Sequence, residues 1–254
     1  MSFSNILAQL GGGFLYTLLL FVLTLVFSMP LGLLVAFGRM NVWAPFSFLL
    51  TESEKSLLRG GNALPRTGKW QDNFRRGLAQ FHPIQTVMKV LISILRGTPL
   101  MLQLLVVCYG PFYMWGATLS TQWRFTALLI GFAVNYAAYF AEIYRSGIES
   151  IPVGQYEAAA VLGYSKSQTF FRIILPQMVK RVLPPVTNEV ITLVKDTSLA
   201  FVLSYQEMFT VAKQIAAAKA DITPLFVAGV FYFIFNAVVA YTMERIEKAL
   251  SYYR

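Results

Sequence analysis

The chain has 254 residues, 56% of them hydrophobic and 13% charged, with a mean hydropathy of +0.57. That charge fraction is about half of what a water-soluble domain carries, which excludes a soluble enzyme of this length and fits a bilayer-embedded bundle. The formal net charge is +9, but the basic residues are confined to particular loops and read as a topology signal, not as a nucleic-acid signature. The one cysteine, Cys108, cannot form an intrachain disulfide, and no Cys/His cluster offers a metal site. His82, the only histidine, reads as an ordinary loop residue before Pro83.

From Met1 to Gly38 there is no Asp, Glu, Lys or Arg, and Phe14 to Phe37 is long enough to cross a hydrocarbon core of about 30 Å as a helix. The basic n-region and small-residue cleavage site of a signal peptide are missing, so this segment reads as a retained first span. A second charge-free window runs from Gly97 to Trp123, with its apolar part at Leu100 to Trp115. Before it, Ile84 to Leu95 contains Lys89 and is too short to span alone; it reads as an interfacial helix with a bend at Pro99. The third span is Phe125 to Ala141, running on to Tyr144 and Arg145. Val182 to Leu203 is a weaker fourth, because Glu189, Lys195 and Asp196 interrupt it, and the fifth is Ile222 to Met243. The expected fold is therefore all-α: one polytopic transmembrane helix bundle of about five spans.

Basic residues set the orientation. The stretch from Arg39 to Pro83 carries Arg39, Lys55, Arg59, Arg66, Lys69, Arg75 and Arg76, and the third connection holds Arg145, Lys166, Arg172, Lys180 and Arg181. The N-terminus has none, and the loop after Trp115 has none before Arg124; Lys213 and Lys219 are offset by Glu207 and Asp221, while Arg245, Lys248 and Arg254 follow the last span. This predicts an outside N-terminus and a cytoplasmic C-terminus. Residues 41–80 become an inserted cytoplasmic loop, and residues 145–185 a second one.

A connection of about 40 residues in a compact membrane protein calls for structure of its own. Ser150 to Gly154 reads as a helix start, Gln155 to Leu162 as a helix, and Gly163 as its left-handed terminator. Ser165 then caps a second short helix, Lys166 to Ile174, ended by Pro176. Two short helices joined at a glycine make a protrusion that serves either as scaffold or as a knob offered to a partner's groove.

The residues of this loop are EAAAVLG from Glu157 to Gly163 and IILP from Ile173 to Pro176. The pattern resembles the EAA loop of ABC importer permeases. The flanks are similar to the polar amino-acid uptake branch of that family: RGTPL from Arg96 with Gln103 following, EIYRSGIESIPVGQYEAA from Glu142, LPP at Leu183 to Pro185, and KDTSL from Lys195. The resemblance spans Phe14 to Gly38 and His82 to Lys248; the polar stretch Asn41 to Gln80 departs from the family's short first loop.

The resemblance implies a non-catalytic transmembrane subunit of the bacterial inner membrane. Its implied partners are two ABC ATPase subunits that hold ATP and magnesium, an extracytoplasmic solute-binding protein, and a second permease chain, either a copy or a close relative. It places Glu157, Ala158, Ala159, Gly163, Ile173, Leu175 and Pro176 at the ATPase contact, and favours polar or charged amino acids as substrate. No cofactor is expected in this chain: Gly61 to Lys69 has its glycines too far apart for a phosphate loop, and no Ser or Thr follows the lysine. Two rival readings are a secondary transporter, which calls for internal repeats that the sequence does not display, and a membrane scaffold, for which the knob alone suffices.

Asn135, Tyr139 and Glu142 fall at i, i+4 and i+7, on one helical face. Such a stripe either lines a translocation path or makes interhelical hydrogen bonds worth about 1 kcal/mol or less each. Gln103 and Asn236 carry the same two readings. Lys195 and Asp196 read as residues near an inner gate, with a buried ion pair as the alternative.

Overall fold

The computed structural model describes residues 3–41, 50–51, 54 and 80–250, and every regular element among them is helical. Most of the 41–80 insertion, including the stretch Gly61 to Lys69, lies outside the described residues. The first helix, α1 (Phe3–Arg39), has 37 residues and is about 55 Å long. Helices α2 (Pro83–Gly97) and α3 (Leu100–Trp115) follow, then α4 (Thr121–Glu149), α5 (Val153–Val161) and α6 (Lys166–Thr169). A π turn, Phe170–Ile174, leads into α7 (Leu175–Asp196), which passes through a 3-10 segment, Thr197–Leu203, to α8 (Met208–Lys219) and α9 (Thr223–Leu250).

Helices α1, α4 and α9 are each long and apolar enough to cross a membrane, and α2 with α3 passes the same test as a pair bent by 108°. The bend falls at Pro99, the N-cap of α3 in an extended conformation; its ring disfavours a helical Thr98 and its missing N–H cannot continue the α2 ladder. The fourth expected span differs from its expected bounds. Its helix begins earlier, at Leu175, and tightens to 3-10 geometry after Asp196 rather than running on to Leu203.

Pro176 does not end the preceding short helix as expected. The Leu175 N–H reaches back to the Phe170 carbonyl, an i→i+5 bond, and Pro176 sits in the first turn of α7, where a missing N–H costs nothing.

The principal core is built from one face of each long helix. Leu20 and Phe21 of α1, Leu104 of α3, Phe132 and Phe140 of α4, and Leu193 of α7 are all buried within it. Helices α1 and α4 lie closest: a Cβ placed on Gly32 would come within 2.8 Å of the Phe140 Cβ and 3.0 Å of the Ala137 carbonyl oxygen. Only glycine admits that approach, because one of the two obstacles is backbone. At the other end of α1 the Met208 N–H donates to Thr17 Oγ1 at 3.2 Å, seating the start of α8 against the helix.

Candidate solute pathway and coupling loop

The elbow between α2 and α3 is held by side-chain amides. Gln103 Nε2 donates to the Leu95 carbonyl at 2.8 Å and to Thr98 Oγ1 at 2.8 Å. Asn135 Nδ2, from α4, donates to the same Leu95 carbonyl at 3.1 Å and to Gln103 Oε1 at 3.0 Å. Carbonyls at the end of α2 lack intrahelical partners, and these two amides satisfy one of them. Asn135 and Gln103 are thereby brought together by hydrogen bonds, and Gln103 also lines a cavity of about 350 Å³ beside the elbow.

The rest of the stripe on α4 faces space. Tyr139 and Glu142 line a cavity of about 460 Å³ together with Arg39 from the end of α1 and Lys89, Ser93 and Arg96 from α2. The three α2 residues fall at i, i+4 and i+7, so two polar stripes face each other across an open cavity. The Arg96 guanidinium carbon lies 5.1 Å from the Tyr139 ring centroid, a cation–π distance. Glu142 is paired with Arg145, which also holds Glu149. Sequence reasoning missed Lys89, Ser93 and Arg96 as a set, although their helical spacing was open to the same test that found the α4 stripe.

The remaining candidates are dispersed. Asp196 accepts a 2.7 Å hydrogen bond from the hydroxyl of Tyr136, a buried residue the sequence did not single out. Lys195 is exposed and forms no ion pair with Asp196, so the paired reading of those two residues does not hold. Asn236 stands apart on α9, with a buried Oδ1 that has no partner.

The candidate coupling loop has a defined shape. Arg181 of α7 donates to the Ser150 carbonyl, and Gln177 Nε2 donates to Gln155 Oε1 at 3.3 Å, so α5 is tied to the start of α7. Helix α5 ends in a Schellman motif. The Gly163 N–H donates to the Ala160 carbonyl and the Tyr164 N–H to the Ala159 carbonyl, each at 3.0 Å, with Gly163 at φ +74°. Ser165 then caps α6 in a reciprocal capping box with Gln168. Both local expectations, the left-handed glycine and the serine cap, are present.

Glu157 and Ala158 are exposed, whereas Ala159 is 1% exposed and turned into the loop. Ile173 and Leu175 are half-buried in the helical run leading into α7, and Pro176 is exposed there. The outward surface is more apolar than the motif suggested: Val161 is 88% and Leu162 72% exposed, with Val153 and Phe171 also uncovered.

Residues 77–252 match the family described as binding-protein-dependent transport system inner membrane component. The chain is 32% identical over 246 residues to the L-cystine transport system permease protein TcyB of Bacillus subtilis (strain 168), covering 96% of this chain and 87% of that one. It is also 32% identical over 175 residues to the arginine transport system permease protein ArtQ of the same organism, covering 68% of this chain and 78% of that one. Among solved structures, the fold is similar to that in the crystal structure of an amino acid ABC transporter with histidines, with a TM-score of 0.74, 24% identity, and 98% and 99% of the two chains covered.

Proposed function

The chain belongs to the family of binding-protein-dependent transport system inner membrane components, and from that premise we propose that it forms the amino-acid path of an ATP-driven importer and couples that path to separate ATPase subunits. One observation carries the reading. The polar cavity and the cytoplasmic knob share a chain of ionic contacts, from Glu142 in the cavity wall through Arg145 to Glu149 at the end of α4. The next residue, Ser150, is held by Arg181 of α7. A change in the seating of α5 therefore reaches the cavity through the end of α4, where Arg145 and Arg181 hold successive residues.

ATP and magnesium belong to two partner ATPases, each receiving one knob, and a solute-binding protein delivers the amino acid from outside. A second permease chain completes the enclosure, since one bundle leaves the polar cavity open on one side. Reconstitution with a cognate ATPase and binding protein tests this: uptake of amino acid should require ATP hydrolysis and vanish without the ATPase. Native mass spectrometry of the detergent-purified complex should give two permease chains for two ATPase chains. Uptake that persists without ATPase, or a working importer with one permease chain, refutes the reading.

The N-terminus lies outside and both the 41–80 insertion and the knob lie in the cytoplasm, a placement supported by the distribution of Lys and Arg. Single cysteines at Asn62 and Thr118, in a Cys108→Ala background, should be labelled by an impermeant maleimide from opposite sides of the membrane. Thr118 is preferred to its neighbour Ser120 because Ser120 Oγ accepts the Trp123 N–H and caps α4. Labelling of both from one side overturns the topology.

A further inference from the structure

The cavity between α2 and α4 has an excess of positive charge in its lining. Arg39, Lys89 and Arg96 line it, and Glu142 is the only carboxylate of the lining among the described residues. That carboxylate is already engaged by Arg145. Three cations facing one cavity against a single lining carboxylate give it a positive potential that favours entry of an anion. Lys89 and Arg96 are seven residues apart on one helix face, roughly 10 Å along the axis, so a ligand that meets both needs two separated anionic groups. A volume of about 460 Å³ admits an amino acid with room for water, and Ser93, between the two cations, adds a hydroxyl. Arginine presents paired donors matched to a carboxylate, and the Tyr139 ring beneath Arg96 fixes its plane.

We infer that this cavity selects amino acids bearing two carboxylates, with one carboxylate at Arg96 and the other toward Lys89 and Arg39, and that it rejects amino acids of net positive charge. The inference rests on the reading of the chain as an amino-acid permease and adds the charge class of the solute. Ammonium recognition falls to the Tyr139 hydroxyl and to the Glu142 carboxylate oxygen that Arg145 does not hold.

The test uses the permease–ATPase complex in nanodiscs of phosphatidylcholine, without the binding protein, whose own selectivity would mask that of the cavity. Radiolabelled glutamate, its isostere glutamine, and arginine are the probes. Glutamate should bind at least about tenfold tighter than glutamine, the gap expected when a charged hydrogen bond is lost, and arginine should bind weakest. Arg96→Ala should weaken glutamate by about tenfold to a hundredfold, and the exposed Lys89→Ala, remote from the core, by less. Arg96→Glu should bring arginine above glutamate, a reversal that misfolding cannot produce. Each variant is used only where it co-purifies with the ATPase.

Equal binding of glutamate and arginine by the native complex, or an unaltered order in Arg96→Glu, overturns the inference. It also fails if phosphatidylglycerol in the nanodisc abolishes glutamate binding, because the cavity then belongs to a lipid headgroup. In each of these cases ATP-driven uptake of some other amino acid by the full transporter would leave the permease reading standing. Absence of all amino-acid uptake would remove both.

Discussion

Replacing Gly163 by valine should abolish most substrate-stimulated ATP hydrolysis while leaving the membrane bundle assembled. The residue holds φ +74° at the end of α5, where a side chain with a Cβ costs about 1–2 kcal/mol and a β-branched one more. No atom beyond the adjoining backbone lies within 4 Å of the position a Cβ would take, so the penalty is in the backbone conformation and not in a tertiary clash. A penalty of that size lowers the ratio of native to non-native turn by roughly tenfold. The turn sets the angle between α5 and α6, and with it the face that carries Glu157, Val161 and Leu162. Gly163→Asn tolerates the left-handed conformation and should retain most of the stimulation. The measurement is ATP hydrolysis by the purified complex with and without loaded binding protein. Valine and asparagine variants that behave alike would show that the turn does not transmit the signal.

The second large effect is expected at Glu207, which is completely buried. Its Oε1 accepts from the Thr210 N–H at 2.6 Å and the Thr210 hydroxyl at 2.8 Å, and its Oε2 from the Phe209 N–H at 2.7 Å and the Tyr232 hydroxyl at 3.0 Å. One carboxylate thus caps α8 and ties it to α9, beside the point where Met208 binds Thr17 of α1. Alanine would remove the cap and leave buried donors unpaired, at a cost of about 3–5 kcal/mol. The apparent Tm of the purified complex should fall on the order of 10 °C. Glu207→Gln, which keeps one acceptor and the volume, should fall by less than half as much. An alanine variant as stable as the parent would show that these four hydrogen bonds contribute no net stability.

Glu207 also marks the limit of what one-dimensional pattern reaches. In the sequence it is a lone acid near two lysines, balancing charge in a loop. Its function as a cap follows from position, but its burial depends on Tyr232 and Thr17, which lie 25 and about 190 residues away. Hydrophobic runs and turn residues act locally, so the apolar helices, the bend at Pro99, the left-handed Gly163 and the Ser165 cap were all legible. Helix ends governed by partners were not. Pro176 has the composition of a terminator, yet the chain continues through it because the preceding turn widens to an i→i+5 bond.

The same division runs through the candidate site. The spacing of Asn135, Tyr139 and Glu142 determined that they share a face, because 3.6 residues per turn is a property of the helix alone. Spacing could not tell which members of the stripe meet another helix. The α2–α3 elbow approaches α4 at Asn135 and consumes that amide, while one turn further on the helices part and leave Tyr139 and Glu142 lining a space with Arg96. Composition and charge determined a membrane bundle with a structured loop, since burying so few charges among so many apolar residues needs a bilayer. Only the tertiary structure decided that Lys89 and Arg96 face that stripe and that Ala159 turns inward. Contacts between helices distant in the chain depend on the packing of whole faces, which no single segment encodes.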